Sequence, residues 1–322
     1  MLALVTGGQG FIGAHLCRRL LADGHAVRVL ARPRSSLERL QGLPVEVVRG
    51  DLATGDGLAG AVAGADWVFH LAGALKGFRE EDLMRVNRDG ARRLAEACRA
   101  AGPARFLLVS SLAAGGPSGA DGRPRREADP PAPVSWYGAS KLAAEREILE
   151  AGLPSVILRP PVVFGPGDRD VLACFRLAAR GLLPVPGGGG RRYSVLYAPD
   201  LADGLVRAAQ VPCPAGTVLH LTGPDLPWSE FGQRIAAALG RRGRLLALPE
   251  GLVRLAGLAA DLGARLRGRP GIFSSQKVAE MLASGWVASP DRAREVLGWT
   301  APTGLDAALA ATAAWYRDHG WL

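Results

Sequence analysis

A chain of 322 residues, 48% hydrophobic and 21% charged, holds enough apolar material for a large core, in one domain or two unequal ones. No uninterrupted apolar run reaches the roughly 18 residues of a membrane span, and the opening core-like strand without a basic leader argues against a secretory signal. The formal charge of +9 invites a nucleic-acid reading, but the arginines are scattered and aromatic residues make up only 6%, so no stacking surface for bases is expected.

In chain order, the apolar run 2–6 enters Thr6-Gly7-Gly8-Gln9-Gly10-Phe11-Ile12-Gly13 and then a helical stretch over 11–23. A strand, a glycine-rich turn and a helix start in that order make the turn that holds a dinucleotide pyrophosphate. Gly8, Gly10 and Gly13 satisfy G-x-G-x-x-G, and Gly7, Gly10 and Gly13 give a second frame, G-x-x-G-x-x-G. Glycine is needed there because a Cβ would keep backbone N–H groups from the phosphates, while the helix N-terminus favours an anion.

Further strands are expected at 26–31, 45–49, 67–70, 106–110 and 155–159, with helices at 58–62, 83–100 and 136–150 between them. This alternation predicts an α/β, Rossmann-type doubly wound parallel sheet. Ser110 and Ser111 fall at the carboxyl edge of the fifth strand, where ligands bind in open parallel sheets. Residues 115–132, rich in Gly, Pro and charge, read as an exposed loop.

Within the helix 136–150, Tyr137 and Lys141 are four residues apart and so share a face. Only three of the 39 basic residues are lysines (Lys76, Lys141 and Lys277), which points to a task for Lys141 that a guanidinium cannot perform. An ammonium beside a phenol is expected to lower its pKa and make it a usable acid–base group.

Past Arg159 the pattern loosens into turn-rich loops and helices at 170–180, 228–239, 252–266, 274–282 and 305–316, a smaller, mostly helical C-terminal substrate lobe. Residues 1–165, with later strands around 192–222 returning, are expected to form the dinucleotide-binding domain, and 166–191 with 223–322 the substrate lobe. The helix 252–266 reads as a pocket lid, a membrane-surface helix or, as the favoured reading, ordinary packing. Cys17, Cys98, Cys174 and Cys213 show no metal-ligand spacing; reduced thiols in a cytoplasmic protein without a metal site are expected.

Thr6–Gly13, Gly50-Asp51-Leu52, His70-Leu71-Ala72-Gly73, Val86-Asn87, Val109-Ser110-Ser111, Tyr137–Lys141 and Arg159-Pro160-Pro161-Val162-Val163-Phe164-Gly165-Pro166 occur in that order. Asp200-Leu201-Ala202, Leu297-Gly298-Trp299 and Trp315-Tyr316-Arg317 follow. With these motifs the chain resembles, over nearly its whole length, the extended short-chain dehydrogenase/reductase family, also called the NAD-dependent epimerase/dehydratase family.

The resemblance implies Tyr137 as general acid/base, Lys141 as its pKa-lowering, ribose-holding partner, and Ser111 rather than Ser110 as the residue orienting the substrate oxygen. It implies cofactor contacts from Gly7, Gly10, Phe11, Ile12 and Gly13, from Asp51 (to the adenine amino group) and Leu52, and from Leu71, Ala72 and Gly73. Asn87 would support the cofactor or the active-site helix, and Pro160 and Val162 would also contact the cofactor.

Members that prefer NAD carry an acidic residue at the end of the second strand, where this chain has Ala31 followed by Arg32-Pro33-Arg34-Ser35. Guanidinium and hydroxyl groups bind a 2′-phosphate that a carboxylate would repel, so NADP(H) is expected over NAD(H), with Arg32 as main contact beside Arg34 and Ser35. Leu112-Ala113 replaces the Asp-Glu pair of the family's dehydratases, and neither residue transfers protons. The arginine that grips a sugar-nucleotide diphosphate in epimerases is displaced by one position in Arg191-Arg192-Tyr193-Ser194, which weakens that reading.

The leading expectation is an NADP-dependent oxidoreductase interconverting a secondary alcohol and a ketone in a small-molecule substrate. The alternatives are a nucleotide-sugar 4-epimerase with retained cofactor and a non-catalytic nucleotide-binding or assembly protein. Helices 83–100 and 136–150 form a dimer interface in many relatives, so a homodimer is expected.

Overall fold

The first apolar run is the inner strand β1 (Leu2–Thr6) of the sheet, followed by α1 (Phe11–Ala22), β2 (Ala26–Ala31), β3 (Glu46–Arg49) and α2 (Leu58–Val62). The computed structural model describes residues 1–119 and 121–322; Ala120, inside the loop expected over 115–132, lies outside the described residues. Then come β4 (Trp67–His70), α3 (Glu80–Ala101), β5 (Arg105–Val109), the short α4 (Leu112–Gly115), α5 (Trp136–Glu150) and β6 (Ser155–Leu158).

The C-terminal half adds β7 (Val162–Phe164), α6 (Leu172–Ala179), β8 (Leu182–Pro186), β9 (Arg192–Tyr197), α7 (Ala198–Gln210) and β10 (Thr217–Leu219). It continues with β11 (Asp225–Pro227), α8 (Trp228–Ala238), β12 (Arg244–Leu248), α9 (Glu250–Leu266), α10 (Ser275–Met281), α11 (Asp291–Leu297) and α12 (Leu305–Asp318).

Seven strands form one parallel sheet in the order β10-β6-β5-β4-β1-β2-β3. Strand order reverses between β1 and β4, which opens a crevice at the carboxyl ends of these two strands. Helices cover both faces, so the inner strands are apolar throughout rather than alternating. Ala3, Val5, Val29, Leu107 and Val156 point to the face covered by α1 and α7. Leu4, Leu30, Phe106, Leu108 and Ile157 point to the face covered by α3 and α5. The pleat, with its two-residue period, sorts one continuous apolar run between two cores.

The expected doubly wound sheet is present, with three differences. Helix α3 starts at Glu80, three residues early, because Glu80, Glu81 and Asp82 form a first turn that suits the dipole while the apolar period begins only at Leu83. Asp82 Oδ2 accepts the backbone N–H groups of Phe78 and Arg79 at 3.0 and 3.2 Å, fixing that start. Of the strands expected around 192–222 to return to the sheet, only β10 pairs into it, against β6. Strand β9 instead joins β7 and β11, while β12 pairs with β8 in a second small sheet. Their pairing partners lie far along the chain, so local pattern gave them no register.

The second lobe has its own core around Phe164, Phe175, Phe231 and Tyr316. Tyr316 stacks edge-on to Phe175 at 5.1 Å and donates its hydroxyl to the Asp168 carbonyl at 2.8 Å, pinning α12 to the loop before α6. All four cysteines are free, and no helix among the described residues is long and apolar enough to cross a membrane.

Candidate active site

The crevice between β1 and β4 is lined by the first turn of α1. Gly7 has φ +75°, and a Cβ there would stand 2.8 Å from the Ala72 nitrogen, so the two strand ends approach closely only with glycine. A Cβ on Gly13 would come within 2.2 Å of the Gly7 carbonyl oxygen. Gly8 faces Val29 instead, and so belongs to packing; of the glycines in this turn, Gly7, Gly10 and Gly13 line the cleft. Helix α1 has no side-chain cap and no acidic residue in its first turn, so its leading amides face the crevice with positive dipole and no protein acceptor from a cap. This arrangement fits an anionic diphosphate.

Buried Thr6 and His70 lock the crevice floor. Thr6 Oγ1 lies 2.7 Å from His70 Nδ1 and accepts the Ala72 N–H at 3.3 Å. Burial, with the nearby Lys141 charge, pulls His70 down to about 3, so it is neutral at physiological pH.

Beyond the phosphate turn, Arg32 and Arg34 stand exposed on the loop after β2 with Ser35 half-buried beside them. Asp51 follows β3 and accepts the Ala53 N–H at 2.8 Å, and Leu52 is buried against Gly90 of α3. These five residues lie at the carboxyl ends of the outer strands and do not line the main cleft. Asn87 is buried: its amide nitrogen donates to the Ala74 carbonyl and Ser140 Oγ at 3.0 and 2.9 Å, and its oxygen accepts the Ala74 N–H at 2.7 Å. It ties the segment after β4 to α5. Leu71, Gly73, Pro160 and Val162 line the cleft with Phe11 and Ile12.

Ser110 and Ser111 separate into two environments. Ser110 donates to Glu145, which also receives the Arg159 guanidinium through Nε and a terminal nitrogen at 2.9 and 2.6 Å, all buried. Ser111 caps α4, accepting the Ala113 N–H at 3.1 Å, and its hydroxyl faces the Tyr137 phenol in the cleft.

Tyr137 and Lys141 also line this cleft, but the phenol is not acidified as expected. Burial pushes Tyr137 up to about 12, the carboxylates of Glu280 and Asp170 push further, and the Ser111 hydroxyl pulls back. Lys141 Nζ donates to the Val109 carbonyl at 2.7 Å, and its own burial brings it down to about 8. Desolvation is the largest cause of both shifts.

The start of α5 is clamped from the second lobe. Ser135 caps the helix by accepting the Gly138 N–H at 3.0 Å and donates to Glu280 at 2.5 Å, while Gln276 accepts the Trp136 N–H at 3.0 Å. Glu280 and Gln276 lie about 140 residues downstream on α10, and no local sequence signal announces them. The cleft, about 1080 Å³, widens into that lobe between Trp136, Tyr193, Trp228, Ile272, Phe273 and Met281. Arg191 at its rim is spent on carbonyls: its Nε donates to Ala283 at 2.9 Å and one terminal nitrogen to Gly187 at 2.7 Å, while the other meets Glu250. Arg192 pairs with Asp225.

A doubly wound parallel sheet with an uncapped glycine-rich helix start at its switch point is the architecture of dinucleotide-binding enzymes, and Ser111, Tyr137 and Lys141 line the cleft beside it. The family model described as "NAD dependent epimerase/dehydratase family" matches residues 3–218, and the chain belongs to that family. It is 38% identical over 320 residues to a ceramide reductase of Caulobacter vibrioides (strain NA1000 / CB15N), covering 99% of this chain and 95% of the relative. It is 30% identical to sterol demethylase protein B of Methylococcus capsulatus (strain ATCC 33009 / NCIMB 11132 / Bath), covering 100% of both. Among solved structures it is similar to gox2253 (TM-score 0.82, 28% identity, covering 100% of this chain and 99% of the other). It is also similar to a UDP-glucose 4-epimerase of Thermus thermophilus in complex with NAD (TM-score 0.79, 25% identity, covering 98% and 99%). The family is one of enzymes, and the relatives include reductases, dehydrogenases and epimerases.

Proposed function

We propose that this enzyme is an NADP(H)-dependent reductase that converts a ketone on a lipid-like substrate to a secondary alcohol. The observation that carries the reading is the convergence of Ser111, Tyr137 and Lys141 on a cleft that runs from the uncapped start of α1 into an aromatic and aliphatic second lobe. The similarity to a ceramide reductase over 99% of the chain supports the substrate class.

A nicotinamide nucleotide bound in the crevice supplies the hydride equivalent. Tyr137, kept protonated by burial, gives its phenolic proton to the substrate oxygen, and Ser111 holds that oxygen by a hydrogen bond. The Lys141 ammonium then balances the phenolate charge. Arg32, Arg34 and Ser35 would hold the 2′-phosphate through charge-assisted hydrogen bonds, and Asp51 would accept from the adenine amino group. Residues 1–165 serve the cofactor, residues 166–191 and 223–322 serve the substrate, and two copies pair through α3 and α5.

The epimerase reading ranks second. Its diphosphate needs a free arginine near β9, and Arg191 and Arg192 are already engaged with Ala283, Gly187, Glu250 and Asp225. The deciding assay follows absorbance at 340 nm with NADPH and a panel of long-chain 3-oxo lipids, beside UDP-glucose. Lipid-dependent NADPH oxidation is expected; epimerised UDP-glucose with no net absorbance change would replace the proposal.

A further inference from the structure

Helix α9 is buried on one side only. Val253, Gly257 and Ala264 face inward, with Gly257 set against Val278 of α10. Its other side presents Leu252, Leu255, Leu258, Leu262 and Leu266, each between 56% and 82% exposed. At 100° per residue these five leucines fall within an arc of about 120°. Five open leucines on one stripe are a surface built for contact, since isolated exposed apolar residues would be scattered.

The stripe is framed by positive charge. On the same helical projection Arg254 and Arg265 lie along one border and Arg267 along the other. Between residues 241 and 269 the chain carries seven arginines (Arg241, Arg242, Arg244, Arg254, Arg265, Arg267 and Arg269) and two carboxylates, Glu250 and Asp261. Both acids are engaged, Glu250 with Arg191 and, at 3.7 Å, with Arg254 of the border, and Asp261 with the Ser275 N–H at 3.2 Å, which leaves six of the seven arginines without a carboxylate from this segment.

We infer that α9 and its arginine border dock on an anionic lipid bilayer. The leucines enter the headgroup–acyl boundary, and the arginine stems lie along it with their guanidinium groups on lipid phosphates. A second copy of this chain fits the face less well, because an isologous contact would bring the two arginine borders together. The opposite, inward side of α9 faces the cleft: Ala264 and Arg265, with Ile272 and Phe273 just beyond the helix, are among its lining residues. The docking depends on this surface alone and not on the reaction assigned above.

The test is co-sedimentation of the full chain with vesicles of equal parts phosphatidylglycerol and phosphatidylcholine, and with pure phosphatidylcholine vesicles, without cofactor or substrate. Binding to the anionic vesicles is expected, weakened by salt and by Leu255→Glu with Leu262→Glu, the double substitution lowering the partition coefficient by about tenfold or more. Both positions are exposed, and an unchanged thermal transition confirms that the variant folds. No binding by the parent protein, or equal binding by the folded variant, overturns the inference. So does a stable dimer in sedimentation velocity that the variant dissociates while the parent ignores vesicles.

Discussion

Lys141 Nζ and the Val109 carbonyl oxygen are 2.7 Å apart, a buried hydrogen bond joining α5 to the carboxyl end of β5. It sets the ammonium beneath the strand end that also carries Ser111, so the sheet edge and the helix share one positioning contact. Lysine suits this place because its compact ammonium can serve a carbonyl and retain further donors for a ligand.

The phenol's role is tested by Tyr137→Phe. Removing the proton donor should lower kcat by about 10²–10⁴-fold. Fluorescence titration should show NADPH binding within about twofold of the parent, since the phosphate turn on α1 is untouched. A variant with parental turnover would end the acid–base assignment.

The Lys141 shift implies a pH limb. Burial brings its pKa down to about 8, so the ammonium is present below that pH and lost as pH rises through it. Reductive kcat/KM should therefore fall above about pH 8, while Tyr137, near 12, stays protonated. A pH profile of the parent enzyme checks this, and Lys141→Arg should move the limb out of the range, at a reduced overall rate.

Arg32→Ala with Arg34→Ala removes the two exposed guanidinium groups after β2. NADPH should bind about 10–100-fold more weakly, the scale of losing charge-assisted hydrogen bonds, while NADH affinity stays the same. Calorimetric titration of both nucleotides measures the difference. Equal losses for both would assign the arginines to the fold instead of the 2′-phosphate.

Glu145 and Arg159 form a buried pair with side-chain exposures of 3% and 5%. Glu145→Ala leaves the guanidinium buried and uncompensated and strands the Ser110 hydroxyl, so unfolding free energy should drop by about 3–5 kcal/mol. Urea denaturation reads this as a lower midpoint with little change of slope.

Acid stability should follow His70. Its folded pKa, about 3, lies below the unfolded value of 6.5. Between these values the unfolded chain binds the extra proton, so stability rises with pH across that window and is lost on acidification. His220, also lowered to about 3, acts in the same direction. Denaturation midpoints from pH 4 to 7 should flatten in His70→Asn relative to the parent.

Much of the sheet was legible because its signals are local. Apolar runs such as Leu2–Thr6 and Ala26–Ala31 mark strands, and clustered glycines mark the turn between β1 and α1. The acidic first turn of α3 was missed because periodicity starts only at Leu83, and β7, β8, β11 and β12 pair with segments far along the chain that no local pattern announces. In α5, Ser140, Lys141 and Glu145 are buried polar residues, so the helix has no clean apolar face to read.

Sequence alone determined the α/β class, the phosphate-type turn and the Tyr137–Lys141 pair, since each rests on residues within a few positions of one another. Only the tertiary structure decided that Ser110 serves Glu145 while Ser111 faces the cleft, that the Tyr137 phenol is raised rather than lowered, and that Arg191 is committed to carbonyls. It also decided that one face of α9 stays open. Each of these outcomes depends on desolvation and on partners tens to more than a hundred residues away, which only the folded chain brings together.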